Sequence, residues 1–522
     1  MTILFRVLRG PLFVWLLIFV ALTAPVSAHS IDRQSNYVLP DSPFSTSVLV
    51  AQAIHNGTIH LNHQAPGSAT SPDLSCKPAP CVLPNVQASE GGQPVNEDPI
   101  ATNPANNKNL LTGGNDYNCT SLQGFYASSN GGTSWNHTCM NTLSGASGDG
   151  DPGVGFDSTG VAYITGIDTG TSDGSDIVFE KSTNGGKTWS APAVAVKPLF
   201  SGGLTDKDWL WVDNNASSPH VNSLYVSVTQ FDNSNGTEIS VSHSNNGGST
   251  WTTVGVEGHQ SSPTIDQFSD VVTDKAGNVY VTWMRCVANG SKSNCGGTVA
   301  SFMLSKSTDG GNTWSTPVTI GKATLAPDIC GGFYGCVPNT NERLSNIPVI
   351  GIDNSTGKHA GDLYVVNYNY TAKHTSVQVT VSTDGGVKWA TPVAVAPTTD
   401  KHDQFFPWMS VSSTGIIGVT WLDRRNDPSN LSYEAFAATA NNVNSLVKSN
   451  VQIATKPSNP NNDGFSGMFM GDYTGNTWTP KTSKTSMCLM ATWMDTSNGT
   501  NSQDEVGGYR SIDPVQGKLS GC

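Results

Sequence analysis

Six arginines lie beyond residue 28: Arg33, Arg285, Arg343, Arg424, Arg425 and Arg510. A guanidinium presents a planar fork of donors that matches a carboxylate bidentately. Arg285, Arg343, Arg424 and Arg425 are therefore candidates for a clamp on a substrate carboxylate. The other reading is a salt bridge to a neighbouring acid, such as Arg424 with Asp427. Asp206 and Asp208, in Thr205-Asp206-Lys207-Asp208-Trp209, suit general acid work because aromatic burial raises a carboxyl pKa. Aspartates of a surface turn are the alternative. Glu342 could activate a tyrosine such as Tyr473, which otherwise packs in a wall. Trp209 and Trp408 add flat apolar surface for a substrate. Asp168, Asp173 and Asp176 could hold Ca²⁺ in a loop, although their spacing matches no EF-hand and a solvated turn is the plainer reading. No other cofactor is expected, and the absence of Cys-x-x-Cys argues against structural zinc.

The elements that position these residues are legible from a repeat. Ser128-Ser129-Asn130-Gly131-Gly132 is followed by Trp135, and the pattern returns from Ser182 to Trp189, Ser244 to Trp251, Ser307 to Trp314 and Ser382 to Trp389. The serines are 54, 62, 63 and 75 residues apart, which is the size of a propeller blade. In each copy an Asp or Asn oxygen can accept from amides of its own turn, and the glycines supply positive φ. Alternating runs such as Leu224-Tyr225-Val226-Ser227 and Val279-Tyr280-Val281-Thr282 recur between the hairpins. The expectation is an all-β chain, a β-propeller of four-stranded blades. Seven repeating units are counted from Lys108, with six plus an extension as the alternative.

The hairpins resemble the Asp-box (BNR) repeats of the sialidase superfamily over roughly residues 96–522. That resemblance implies boxes at the turn between third and fourth strands, away from the active face. It also implies an exo-α-sialidase-like site: an arginine triad on the substrate carboxylate, a tyrosine nucleophile assisted by Glu, and an Asp acid/base. The family has six blades, and its first arginine comes from an Arg-Ile-Pro motif that does not occur here.

Strand direction then places the loops between second and third strands, and the starts of first strands, on the face opposite the boxes. Asp168, Asp232, Arg285, Asn369, Asp423-Arg424-Arg425 and Asp495 follow second strands. Asp149, Asp151, Asp206, Asp208, Asp266, Asp270, Glu342, Arg343, Asp403 and Asp463 lead into first strands. Such loops converge on the central channel, a natural concave site. The expected function is an extracellular sialidase-like glycoside hydrolase, or a glycan-recognising propeller, acting on terminal acidic sugars. The alternative is a binding or scaffold propeller without chemistry.

Residues 1–28 resemble an export signal, with Arg6 and Arg9, an apolar Leu12–Ala24 and a small-residue Val26-Ser27-Ala28. Residues 29–95 read as a low-complexity leader or stalk with one or two strands near Thr46–Ile54, and residues 96–522 as the propeller. The formal charge of −13 argues against nucleic acid as a partner, and the resemblance implies carbohydrate or glycoconjugate instead. Ten cysteines suit a secreted protein, and sequence neighbours suggest Cys76–Cys81, Cys119–Cys139, Cys286–Cys295, Cys330–Cys336 and Cys488–Cys522.

Overall fold

The structure, a computed structural model, describes residues 32–33, 40–60, 81–83, 85–89, 93–290, 294–397, 399, 401–465, 467–481, 487–497 and 503–510. The expected export signal lies outside them. The described residues are all but entirely strand and turn, wound as a β-propeller of four-stranded blades. Apart from a two-stranded sheet of Asp32–Arg33 and Ile59–His60, seven sheets form the ring; numbered round it from the one that holds Leu110–Asp116, the second to sixth have four strands each, laid down from the innermost outward. Their inner strands are Ser147–Phe156, Leu204–Val212, Thr264–Thr273, Val349–Ile352 and Gln404–Val411.

The first and seventh sheets differ, having five strands each. In the first, the inner position is shared by Val95–Asn96 and Ile100–Thr102, both paired with Leu110–Asp116. In the seventh, Gly475–Trp478, Cys488–Asp495 and Gln503–Arg510 are completed by Cys81–Val82 and Val86–Gln87 from the early part of the chain. Each inner strand touches the next, and Gly475–Trp478 packs on Ile100–Thr102 to close the ring. Covering the last sheet with an early segment leaves no long unpaired edge at the join.

All five hairpins have the same wiring. The first serine's hydroxyl oxygen accepts from the second glycine's amide, as for Gly132 on Ser128 at 2.9 Å and Gly311 on Ser307 at 2.8 Å. That hydroxyl donates to the Asx Oδ1, which accepts a further amide: Thr188 on Asn184 at 3.0 Å, Thr313 on Asp309 at 2.9 Å. Both glycines need positive φ, for example 74° and 97° at Gly310 and Gly311. The tryptophan is half-buried and reaches the preceding sheet, as Trp251 does on Phe179, with ring centroids 5.3 Å apart. The boxes thus staple one sheet to the next.

Thr46–Ile54, expected as strand, lies instead in the α-helix Thr46–His55. Its β-branched residues favour strands only weakly, and tertiary context overrides that preference. Ser45 caps the helix, and Leu49, Val50, Ala51 and Ala53 pack with Tyr117, Leu122, Phe465 and Phe469. The leader residues 40–60 therefore lie against the ring. No helix of the described residues is long and apolar enough to cross a membrane. Disulfides join Cys119–Cys139, Cys286–Cys295 and Cys330–Cys336 as the spacing suggested. Cys76 and Cys522, invoked for the other two pairs, lie outside the described residues.

Candidate functional site at the channel mouth

Four inner strands slip register near their start, between Gly150 and Gly153, Asp206 and Trp209, Gln267 and Asp270, and Phe405 and Trp408. At each slip a non-glycine residue adopts left-handed backbone: Asp151 at φ 54°, Lys207 at 52°, Phe268 at 63° and Phe406 at 46°. Glu97, between the two short inner strands of the first sheet, does the same at 63°. Such residues cost on the order of 1–3 kcal/mol each and persist where surroundings over-determine them. A bulge re-aims the side chains beside it. Repetition round one rim brings side chains from distant parts of the chain to a common point.

Four carboxyl groups meet there: Glu97, Asp151, Asp206 and Asp472, all buried. Asn115 Nδ2 donates to Glu97 Oε2 at 2.9 Å, and the Asp472 amide donates to Glu97 Oε1 at 3.0 Å. The Lys207 amide donates to Asp151 Oδ2 at 2.9 Å. Burial pushes Glu97 and Asp206 well above the usual carboxylate range, with the Asp151 charge adding to it, and raises Asp472 to about 6. Asp208, next along, is raised to about 8 by burial while accepting from Thr165 Oγ1 at 2.6 Å. Near neutral pH Asp208 is therefore a protonated carboxyl, which can donate, beside acceptors.

The start of the helix lies on this cluster. Ser45 N donates to Asp206 Oδ2 at 2.7 Å, Thr46 N to Asp472 Oδ2 at 3.0 Å, and Ser47 Oγ to Asp151. The pocket that remains, lined by Phe44, Thr46, Phe268, Tyr334, Arg343 and Asp472 among others, has a volume of ≈ 10 Å³. That is room for about one water and none for a sugar ring.

Below the carboxyls the channel is filled. Trp209, Trp408 and Tyr473 come from the third, sixth and seventh sheets, yet the two indoles are 4.4 Å apart and each lies 5.9 Å from the Tyr473 ring. Lys207 Nζ, fully buried, sits 4.1 Å from the Tyr473 ring centroid and 4.8 Å from that of Trp209. It has no hydrogen-bond partner among the described residues, so cation–π attraction and nearby carboxylates hold it.

The arginines do not converge. Arg285 is engaged by Asp266, at 2.7 Å from Nε and 2.6 Å from Nη2, and by Glu257. Arg425 Nη2 binds Asp423 at 2.5 Å, and its guanidinium lies 4.2 Å from the Phe436 ring centroid. Arg424 is wholly buried, with Nη1 on Pro338 O at 2.6 Å and 3.5 Å from Asp403. Burial lowers its pKa against the pull of Asp403. Asp427, the other partner considered for it, accepts instead from its own loop at Ser429, Leu431 and Ser432. Arg343 alone borders the mouth, donating to Pro40 O and to Gly331 O at 3.0 Å.

Nor do Glu342 and Tyr473 pair. Glu342 accepts from Met470 N at 2.8 Å and shares a hydrogen bond with Asp463, its pKa well raised by burial and by Asp463. The Tyr473 hydroxyl donates to Pro152 O at 3.2 Å. The suggested calcium residues also divide: Asp173 pairs with Lys197 at 2.7 Å, while Asp168 accepts from Leu143 N at 2.6 Å. The metal-ligating groups that do converge among the described residues, Cys119/His137/Cys139 and Asp328/Cys330/Cys336, have their sulfurs in disulfides.

Asp206, Trp209, Trp408 and Tyr473 are thus brought together with Asp151, which strand direction places on this face, and with residues not singled out from sequence: Glu97, Lys207, Asp472 and Ser45–Ser47. The signal was an acid repeated where an inner strand begins or slips register, in Asn96-Glu97-Asp98-Pro99, Gly150-Asp151-Pro152 and Gly471-Asp472-Tyr473.

No family model matches the chain, and no curated protein matches it. Among solved structures it is similar to an ulvan lyase of a polysaccharide lyase family, at 9% identity and TM-score 0.48, covering 79% of this chain and 93% of that one. The α-L-arabinofuranosidase of Fusarium graminearum matches at 15% identity and TM-score 0.41, covering 70% and 94%. An intramolecular trans-sialidase from Ruminococcus gnavus matches at 12% and 0.41, covering 63% and 90%.

Proposed function

We propose that this is a secreted glycan-acting propeller whose binding site is the channel mouth, and that it reads hydroxyl groups rather than a substrate carboxylate. The observation behind this is the juxtaposition of Asp151, Asp206 and Asp472 with the Trp209–Trp408–Tyr473 plate. Carboxylates accept from neighbouring sugar hydroxyls, and an aromatic face covers the C–H side of a ring. An acidic sugar would meet a rim rich in carboxyls, with Arg343 as its bordering guanidinium.

If the site is catalytic, the chemistry belongs to the carboxyls. Asp206, its pKa pushed up by burial, is the general acid, and Asp151 the neighbouring base. The dispersal of Arg285, Arg424 and Arg425 and the separation of Tyr473 from Glu342 speak against an arginine-clamp, tyrosine-nucleophile mechanism. They leave recognition without turnover as the second reading. A panel of fluorogenic glycosides, neutral and acidic, decides between them. Turnover of a neutral glycoside that Asp206→Asn abolishes supports the hydrolase. Binding without turnover supports the second reading, and cleavage restricted to sialosides would refute the proposal.

A further inference from the structure

The amino-terminal segment occupies the mouth in a way that goes beyond simple packing. Pro43 O accepts from Tyr334 Oη at 2.6 Å and from Gln267 Nε2 at 3.3 Å, while Pro40 O accepts from Arg343. Phe44 meets Phe231 edge-on at 4.9 Å. Ser45, Thr46 and Ser47 donate to three different carboxyls of three different sheets: Asp206, Asp472 and Asp151. At the far end of the helix, His55 Nε2 lies 2.9 Å from Asp149. This short run therefore engages most of the polar groups assigned above to glycan recognition. It does so with hydroxyls and amides, the donor types a sugar would bring.

We infer that residues 40–60 are a built-in competitor: an intramolecular ligand seated in the glycan site, which a sugar must displace to enter. The inference rests on reading the mouth as the binding site, and it adds that the site takes a donor-rich ligand and is closed by the chain itself. The segment is suited to leaving. Residues 40–60 contain no cysteine, and their one strand, Ile59–His60, pairs with Asp32–Arg33 and not with a propeller sheet. The propeller's own ladders do not run through it. Displacement exchanges the serine and threonine donors for sugar hydroxyls, so the carboxyls are never left without partners. Such an exchange is far less costly than exposing an unpaired buried acid.

The test uses the full chain. Ser45→Asp with Ser47→Asp puts two further acids into the buried carboxyl cluster, and Ser45→Ala with Ser47→Ala serves as the uncharged counterpart. Hydrogen exchange of the peptide spanning 46–55 is measured alongside thermal unfolding. The charged variant should exchange there roughly tenfold faster or more, with the sheets as protected as before. A synthetic peptide of residues 40–60 added to it should bind saturably and restore the protected pattern at the rim. Unchanged exchange at 46–55, or release only together with loss of protection in the sheets, would overturn the competitor role. Release with saturable peptide binding, but no binding of any glycan in a neutral and acidic panel, would uphold the competitor and refute the glycan reading. The two failures are therefore distinguishable.

Discussion

The backbone amide of Ser45 donates to Asp206 Oδ2 at 2.7 Å, across 161 residues of chain. The carboxyl group best placed for acid chemistry is thereby tied to the cap of the one α-helix among the described residues. Asp206 also accepts from Gln267 Nε2 of the adjoining sheet at 2.8 Å. It joins two sheets and the leader at one point on the rim.

Acid should stabilise this rim. Asp208 is raised to about 8 by burial, so the folded state holds a proton that the unfolded chain releases near pH 4. The stability it contributes is fully present below the unfolded value and is lost as pH rises through about 8. Thermal unfolding should therefore shift downward between pH 5 and pH 8, on the order of a few degrees. Asp208→Asn, which mimics the protonated group, should flatten that slope. A slope of the same size in the variant would show that Asp208 does not carry it.

The boxes should respond to geometry rather than charge. Ser307→Ala removes the acceptor for Gly311 N and the donor to Asp309, and should cost about 1–2 kcal/mol in denaturant unfolding. Asp309→Asn should stay within about 0.5 kcal/mol, because three of the hairpins already carry Asn there. In those copies the Asn Nδ2 donates to a hydroxyl, as Asn184 does to Thr188 at 2.7 Å, where Asp309 accepts from Thr313 at 2.6 Å.

That wiring also explains what could be read from sequence. The hairpins depend on bonds within seven or eight residues, so their residue types announce them. The second strands end at or beside Asp232, Asp423 and Asp495 as expected, whereas Ala162–Thr171 and Val279–Val287 run past Asp168 and Arg285, because alternation marks a strand's course better than its end. The mouth was only half legible. Which arginines converge depends on acids elsewhere, and Glu257, Asp266 and Asp403 claim Arg285 and Arg424 through tertiary contacts no local pattern encodes. The helix Thr46–His55 was missed for the same reason. Its stability comes from the cap on the carboxyl cluster and from a face buried on Tyr117 and Phe465, not from its own β-branched residues.

Arg343 and Arg285 should separate cleanly. Arg343→Ala removes the guanidinium that holds Pro40 O and Gly331 O at the mouth, and should loosen residues 40–60 in hydrogen exchange. Arg285→Ala breaks a pairing with Asp266 and Glu257 and should leave exchange at 46–55 and glycan binding unchanged. Equal loosening by both would contradict the placement of the mouth.

The aromatic plate gives a test of tyrosine's role. Trp408→Ala should cost about 3–5 kcal/mol, as expected for a buried aromatic packed on two others. Tyr473→Phe keeps the ring under Lys207 and loses only the bond to Pro152 O, costing about 1 kcal/mol. Its glycan binding and any turnover should persist. Abolished turnover with folding intact would point back to a tyrosine nucleophile.

The central claim is that the carboxyl-lined mouth recognises hydroxyl-rich glycans once the leader yields. The most direct measurement is glycan-panel binding by the full chain, by its Ser45→Asp/Ser47→Asp variant, and by that variant carrying Asp472→Asn. Neutral glycans should bind more tightly to the charged variant than to the parent, with that gain lost on Asp472→Asn. Preference for acidic glycans, or neutral glycan binding indifferent to both changes, would contradict the claim.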